Sequence, residues 1–288
     1  MKTFLALALL TILTAGCTSQ QVASDSIAPK STVDPTLNII LISEVKWEDL
    51  NPARGSSSPM AANLWGDRTG SGPAGFLVKF EDGFSSPPHI HNIAYRGVVI
   101  SGTIHNDDPN ADEMYMTSGS YWTQPGGGVH ITAAKGSNAV AYIEVEDAFG
   151  VLPAEKAFDS TDKPINVDAS NIVWVNQHGM PNSADVPKVA FLWGDPEDDQ
   201  LSGTLFKLPA GFDGMISNSS SDFQAVVIQG QPQLHSTDET HAKTMEPGSY
   251  FGSKGESTHQ ISCEDGDDCI IYVRMDGKLD IRPADLIK

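Results

Sequence analysis

Beyond the first few dozen residues, apolar positions fall in short runs separated by polar turns, and helical periodicity is weak. The runs at 75–80, 97–104, 139–145, 224–228 and 269–273 are β-branched or aromatic and are bounded by Gly, Pro, Asn and Asp. Such a pattern predicts strands joined by turns, and a long series of them predicts an all-β sandwich or barrel. The segments Asn38-Ile39-Ile40-Leu41-Ile42 and Asn171-Ile172-Val173-Trp174-Val175 read as the strands that open two successive copies of one module.

The duplication extends along the whole body. Leu64-Trp65-Gly66-Asp67 recurs as Leu192-Trp193-Gly194-Asp195, and Val98-Val99-Ile100-Ser101-Gly102 as Val226-Val227-Ile228-Gln229-Gly230. Gly119-Ser120-Tyr121-Trp122 recurs as Gly248-Ser249-Tyr250-Phe251, and Ala141-Tyr142-Ile143 is echoed by Ile271-Tyr272-Val273. A period of roughly 130 residues is a domain length and too long for a solenoid repeat. The joint falls in the polar, proline-interrupted stretch 152–167, so modules are expected at 37–155 and 156–288. Because Trp65 and Trp193 recur in both copies, they read as packing anchors, with Asp67 and Asp195 making turn hydrogen bonds.

Ahead of the modules, Lys2 is followed by an apolar run too short to span a bilayer, which reads as a secretory signal over 1–16. The small residues before Cys17 fit a bacterial lipoprotein signal, in which that cysteine carries lipid and tethers the protein to a membrane. Residues 17–36, rich in Ser, Pro, Ala and Thr, are then a flexible tether. The expected location is the cell envelope, on the outer membrane or facing the periplasm in a two-membrane host. With 18 basic against 37 acidic residues and a net charge of −19, the chain is disfavoured as a partner of nucleic acid and of anionic lipid headgroups. Cys263 and Cys269 flank the polar turn 264–268 and form a candidate disulfide in an exported protein, two free thiols being the alternative.

Candidate chemistry sits in the first copy. His89 and His91 are one residue apart on an extended segment, so their side chains leave the same face. His130 ends a second glycine- and proline-punctuated run, and the three imidazoles form a candidate site for one metal ion. His105, His178, His235 and His241 lie outside this spacing and read as solvated or hydrogen-bonded.

Both histidine runs resemble the two motifs of the cupin superfamily. Gly83, His89, His91 and Gly102 fall at the places of the first motif, and Gly119, Pro125, Gly127 and His130 at those of the second. The repeated Leu-Trp-Gly-Asp, the Tyr95-Arg96-Gly97-Val98-Val99 segment and the Gly-Ser-Tyr-Trp run are similar to a bicupin family of unknown function related to ChrR-like cupins. The resemblance spans about residues 38–280. It implies two tandem jelly-roll β-barrels, the first binding one divalent metal, and a neutral three-histidine set suits a transition metal such as Zn, Fe, Mn or Ni. It also allows a homodimer through barrel edges.

Tyr95 stands where the family often has a glutamate ligand. Three roles are open to it: coordination as phenolate, a hydrogen bond to a metal-bound water, or packing. Arg96, Trp122 and Gln124 are the neighbouring candidates for lining a small-molecule pocket. Aligned on Gly230, the second copy has Ser217, Ser219 and Phe223 at the places of His89, His91 and Tyr95, and keeps His259 alone; it is expected to be metal-free. A metal with open positions suits a dioxygenase-like oxidoreductase acting on a small organic substrate. The alternative is a non-catalytic binding or sensing protein of the envelope.

Overall fold

The computed structural model describes residues 37–286 apart from 178, 182, 184, 197–199 and 236–241. The expected signal segment and tether with Cys17, and His178 and His241, lie outside the described residues. The body is almost wholly β, arranged as two jelly-roll modules whose seven-stranded sheets share an apolar seam.

The first of these sheets runs in the order Ile165–Val167, Tyr121–Gln124, Tyr95–Asp107, Ile131–Val145, Ala74–Phe80, Met60–Trp65, Glu48–Asp49. The second repeats the design with Asn38–Ile40, Tyr250–Lys254, Asp222–Gln229, Cys269–Met275, Ser202–Leu208, Lys188–Trp193, Val175–Asn176. In each sheet one of the two edge strands comes from the other half of the chain. Asn38–Ile40 pairs with Tyr250–Lys254, and Ile165–Val167 pairs with Tyr121–Gln124. The second opening strand is therefore Ile165–Val167 and not 171–175. That later run is apolar for another reason: Ile172 and Trp174 pack into the seam, while Val173 stays 75% exposed.

Two long strands build the first barrel. Tyr95–Asp107 pairs with Ile131–Val145 along both ends, with register shifts on either side of Ser101. At the break Gly102 has φ +67°, and a Cβ there would meet the Ala139 Cα at 2.7 Å, so glycine alone fits without strain. The strands thus leave the seam sheet and turn over the core, where Phe76, Val78, Phe80, Val99, Ile104 and Ile143 are buried. In the second module the opposite sheet orders Lys243–Thr244, Pro232–His235, Ser257–Cys263, Asp213–Asn218, Leu279–Pro283. Cys263 and Cys269 are joined by a disulfide across the polar turn.

The seam buries Leu64, Leu77, Val98 and Ile100 against Leu205, Val226, Ile228 and Ile270, each aliphatic side chain contributing about 1.5–3 kcal/mol by leaving water. A polar group sits inside it. The Trp65 and Trp193 indoles each donate to a tyrosine hydroxyl, of Tyr142 and Tyr272, at 3.0 Å. Those hydroxyls in turn donate to Oε2 of Glu144, at 3.3 and 3.0 Å. Gly75 and Gly203 leave the space in which the indoles lie, since a Cβ on either would fall within 2.1 Å of an indole nitrogen. Asp67 makes the turn bonds expected of it, accepting from the Thr69 N–H at 2.9 Å.

Glu144 and Arg274 occupy equivalent positions of the two copies, and their side chains form an ion pair at 3.2 Å, almost wholly buried. Burial pushes the Glu144 carboxyl up, and the Arg274 and Arg96 guanidiniums pull it back. Removing one member of a buried pair strands the other, whereas apolar replacement of both is far less costly. Glu144→Ala is therefore expected to lower stability by about 3 kcal/mol. Glu144→Leu combined with Arg274→Met should recover most of the loss, as read from urea midpoints at unchanged m-value.

Candidate metal centre

The three histidines converge because two short ladders meet. His89–His91 pairs with Val151–Pro153 on one side. On the other, His89 and His130 exchange backbone hydrogen bonds, each N–H to the other's carbonyl at 3.0 Å. Directly opposed residues of an antiparallel pair project to the same face, and so do residues two apart on one strand. The imidazole centroids consequently stand 4.3 Å (His89–His130), 5.1 Å (His89–His91) and 5.1 Å (His91–His130) apart. One nitrogen from each falls within 4.8 Å of the others. Among the described residues this is the one group of three such side chains so close together.

Each ring is held by a backbone carbonyl at Nδ1: Pro87 O at 2.9 Å for His89, Gly150 O at 3.1 Å for His91, Gly128 O at 3.0 Å for His130. A carbonyl oxygen only accepts, so each Nδ1 carries the proton and each Nε2 keeps its lone pair. This is the outer hydrogen bonding that orients metal-ligating histidines. Burial lowers the proton affinity of all three, His91 well below the usual histidine value and His130 to about 3. Three neutral imidazoles with their lone pairs together fit a divalent transition metal such as Zn, Fe, Mn or Ni.

Tyr95 is buried and stands edge-on to His91 at 5.0 Å, with its hydroxyl 3.5 Å from His130 Nε2. The hydroxyl donates to Asn106 Oδ1 at 2.8 Å, which also accepts from Thr132 at 2.8 Å. Burial raises the tyrosine's pKa, which disfavours a phenolate and leaves a neutral hydroxyl beside the imidazoles. Asn106 donates onward to Gln124 Oε1 at 3.1 Å, and Gln124 donates to the Gly128 carbonyl that holds His130. Gln124 therefore braces a histidine from behind.

His89 and His91 border a cavity of about 390 Å³. Its walls are mostly apolar, including Val78, Phe80, Phe84, Ile143 and Phe149, with Tyr95 and Trp122 at the histidine end. Phe149 stacks on His91 at 4.3 Å. Of the pocket residues expected from sequence, Trp122 lines this cavity, but Arg96 and Gln124 do not; they border a separate recess of about 300 Å³ behind Tyr95. Strand alternation explains Arg96: with Tyr95 facing the core, its neighbour must face the seam. There its guanidinium lies 3.8 Å over the Trp193 ring and bonds Glu146 at 3.0 Å. Arg54 and Phe149 come from turns with no fixed spacing to the histidines, and Phe84, though next to Gly83 of the first motif, occupies a position that the motif leaves open.

In the second module the ladder puts Ile216 opposite His259. Ile216 and Asn218, and not Ser217 and Ser219, thus occupy the positions of His89 and His91; the copies differ by a one-residue offset invisible to an alignment on Gly230. Ile216 offers no donor atom. His259 Nε2 instead meets Ser253 and Ser257 hydroxyls at 3.2 and 3.1 Å, among Phe223 and Phe251. Elsewhere, His105 is buried against the backbone of Met114, and His235 meets the Ser262 hydroxyl at 3.2 Å.

Residues 38–282 match the family described as a domain of unknown function, DUF4437, and the chain belongs to that family. No curated protein matches the sequence. Among solved structures, it is similar to a "putative dioxygenase" from Nostoc punctiforme, with 16% identity, TM-score 0.63 and 86% of each chain covered. It is also similar to an oxalate decarboxylase from Lactobacillus farciminis, with 11% identity, TM-score 0.55 and 88% and 89% covered. The protein Ylba from E. coli shows 13% identity and TM-score 0.55, with 88% and 96% covered. At these identities the likeness establishes the fold, which is that of the cupins, and no more.

The proton affinities give a sign-definite test. A histidine whose folded pKa lies below its unfolded value near 6.5 makes the unfolded state bind more protons in acid, so stability falls as pH drops below that value. For His130, folded at about 3, the loss between pH 7 and pH 5 is about 2 kcal/mol in metal-free protein. Denaturant titrations across this window should show a flatter pH dependence in His130→Gln than in wild type.

Proposed function

We propose that the chain is a divalent-metal-dependent oxidoreductase of dioxygenase-like type acting on a small organic substrate. His89, His91 and His130 would hold the metal. The observation that carries this reading is the apolar cavity of about 390 Å³ bordered by two of the three imidazoles, which leaves a ligand direct access to them. A metal there would supply Lewis acidity, or oxygen chemistry if redox-active. The chain's own residues divide the remaining work. The carbonyls of Pro87, Gly150 and Gly128 fix the rings, Tyr95 presents a neutral hydroxyl beside His130, and the phenylalanines exclude water from the substrate's body.

A non-catalytic binding or sensing protein is the second reading. The second module favours it, because apolar and hydroxyl side chains replace the donors there. Membership of the ChrR-like bicupin group belongs with that reading. Under either, we propose that lipid on Cys17 anchors the protein in the cell envelope.

Metal analysis of untagged protein should return one divalent metal per chain, and a His89→Ala, His91→Ala double variant should return none. Oxygen uptake on a panel of dicarbonyls and catechols then separates the readings: substrate-dependent consumption by the loaded protein supports the oxidoreductase, and its absence with metal bound supports the binding protein. Independently, Cys17→Ser should move the protein from the membrane fraction to the soluble fraction of the cell envelope.

A further inference from the structure

The chain has five arginines, and in so acidic a protein four of them meet a carboxylate. Arg68 pairs with Glu48 at 2.7 Å, Arg96 with Glu146 at 3.0 Å, Arg274 with Glu144 and Glu146, and Arg282 with Asp280 at 2.6 Å. Arg54 differs. Among the described residues no carboxylate lies within 4.0 Å of its guanidinium, although Glu155 borders the same cavity. It is half-buried in the turn Pro52–Ser57, which Asn51 caps by accepting from the Ala53 N–H at 3.2 Å. Its guanidinium lies 5.6 Å over the Phe84 ring, on the wall of the histidine cavity, and its charge is felt at His89.

A second polar group borders the same cavity. The indole N–H of Trp122, buried at 2% exposure, makes no well-aligned hydrogen bond, the Tyr95 hydroxyl being its near neighbour. The cavity therefore offers an unpartnered cation and a long apolar surface between phenylalanines.

We infer that the cavity's ligand is a small monocarboxylate with an apolar body, its carboxylate taken by Arg54 and its hydrocarbon portion packed among Phe80, Phe84 and Phe149. This rests on the reading of the cavity as the substrate site. The planar guanidinium matches a carboxylate with two parallel hydrogen bonds. The lone cation suits a monoanion, and in a protein of net charge −19 an anion needs a local positive charge to enter.

The test titrates benzoate, phenylacetate and hexanoate, with their neutral amides, into full-length protein, both metal-free and zinc-loaded, by calorimetry. Carboxylates should bind metal-free wild type about tenfold tighter than the amides. Arg54→Gln should bring that ratio close to one while leaving amide affinity unchanged, Arg54→Lys should keep part of it, and Arg54→Glu should favour phenethylamine over the acids. Equal affinity for acid and amide in wild type, an unchanged ratio in Arg54→Gln, or no binding of any probe overturns the inference. The metal reading fails separately. If zinc does not bind yet the Arg54-dependent preference persists, only the metal assignment falls; if zinc binds and Arg54 has no effect, only the carboxylate falls.

Discussion

The antiparallel pair formed by Tyr95–Asp107 and Ile131–Val145 is the constraint on which the rest of the first module depends. One half of the pair belongs to the seam and the other folds over the core, with the break at Gly102. Because backbone hydrogen bonds fix register to the residue, this single ladder decides several placements together. Tyr95 faces the core, Asn106 lies beneath its hydroxyl, and the chain before Ile131 is delivered to the segment carrying His89 and His91. A slip of one residue would turn Tyr95 outward and Arg96 inward, destroying the centre and the seam alike.

The seam shows how a duplicated sequence becomes one folded body. Equivalent positions have stayed alike where shape is shared, as in the two tryptophan–tyrosine pairs. They have become complementary where the copies meet, as in Glu144 and Arg274. A like pair of carboxylates at this point would repel in a low-dielectric interior, so the divergence is needed for burial. The exchange of Asn38–Ile40 and Ile165–Val167 adds a second tie, with each module's sheet completed by a strand from the other half.

Away from the seam the copies have separated in chemistry while keeping the same ladder. The first retains donors with carbonyl-oriented rings and an adjoining cavity. In the second, Phe223, Phe251, Ile216 and Ile281 join the hydrophobic core, and the remaining histidine is held by serines. Filling that space with side chains exchanges a site for packing, and the same backbone serves both.

What the sequence by itself determined was whatever follows from periodicity and spacing. Alternating strands, the repeat, the His-x-His pair and His130 are local patterns, and side-chain alternation along a strand is a geometric necessity that needs no tertiary knowledge. Only the tertiary structure decided which strands pair across the repeat, why 171–175 is apolar without opening a module, and that Ile216 and not Ser217 answers to His89. It also decided that Arg96 serves the seam while Arg54, from an unremarked turn, borders the cavity. These depend on register and on contacts between segments far apart in the chain, where a one-residue offset or a turn of arbitrary length leaves no periodic trace. Bonds between distant residues are set by how the sheets close, and closure is a property of the whole fold.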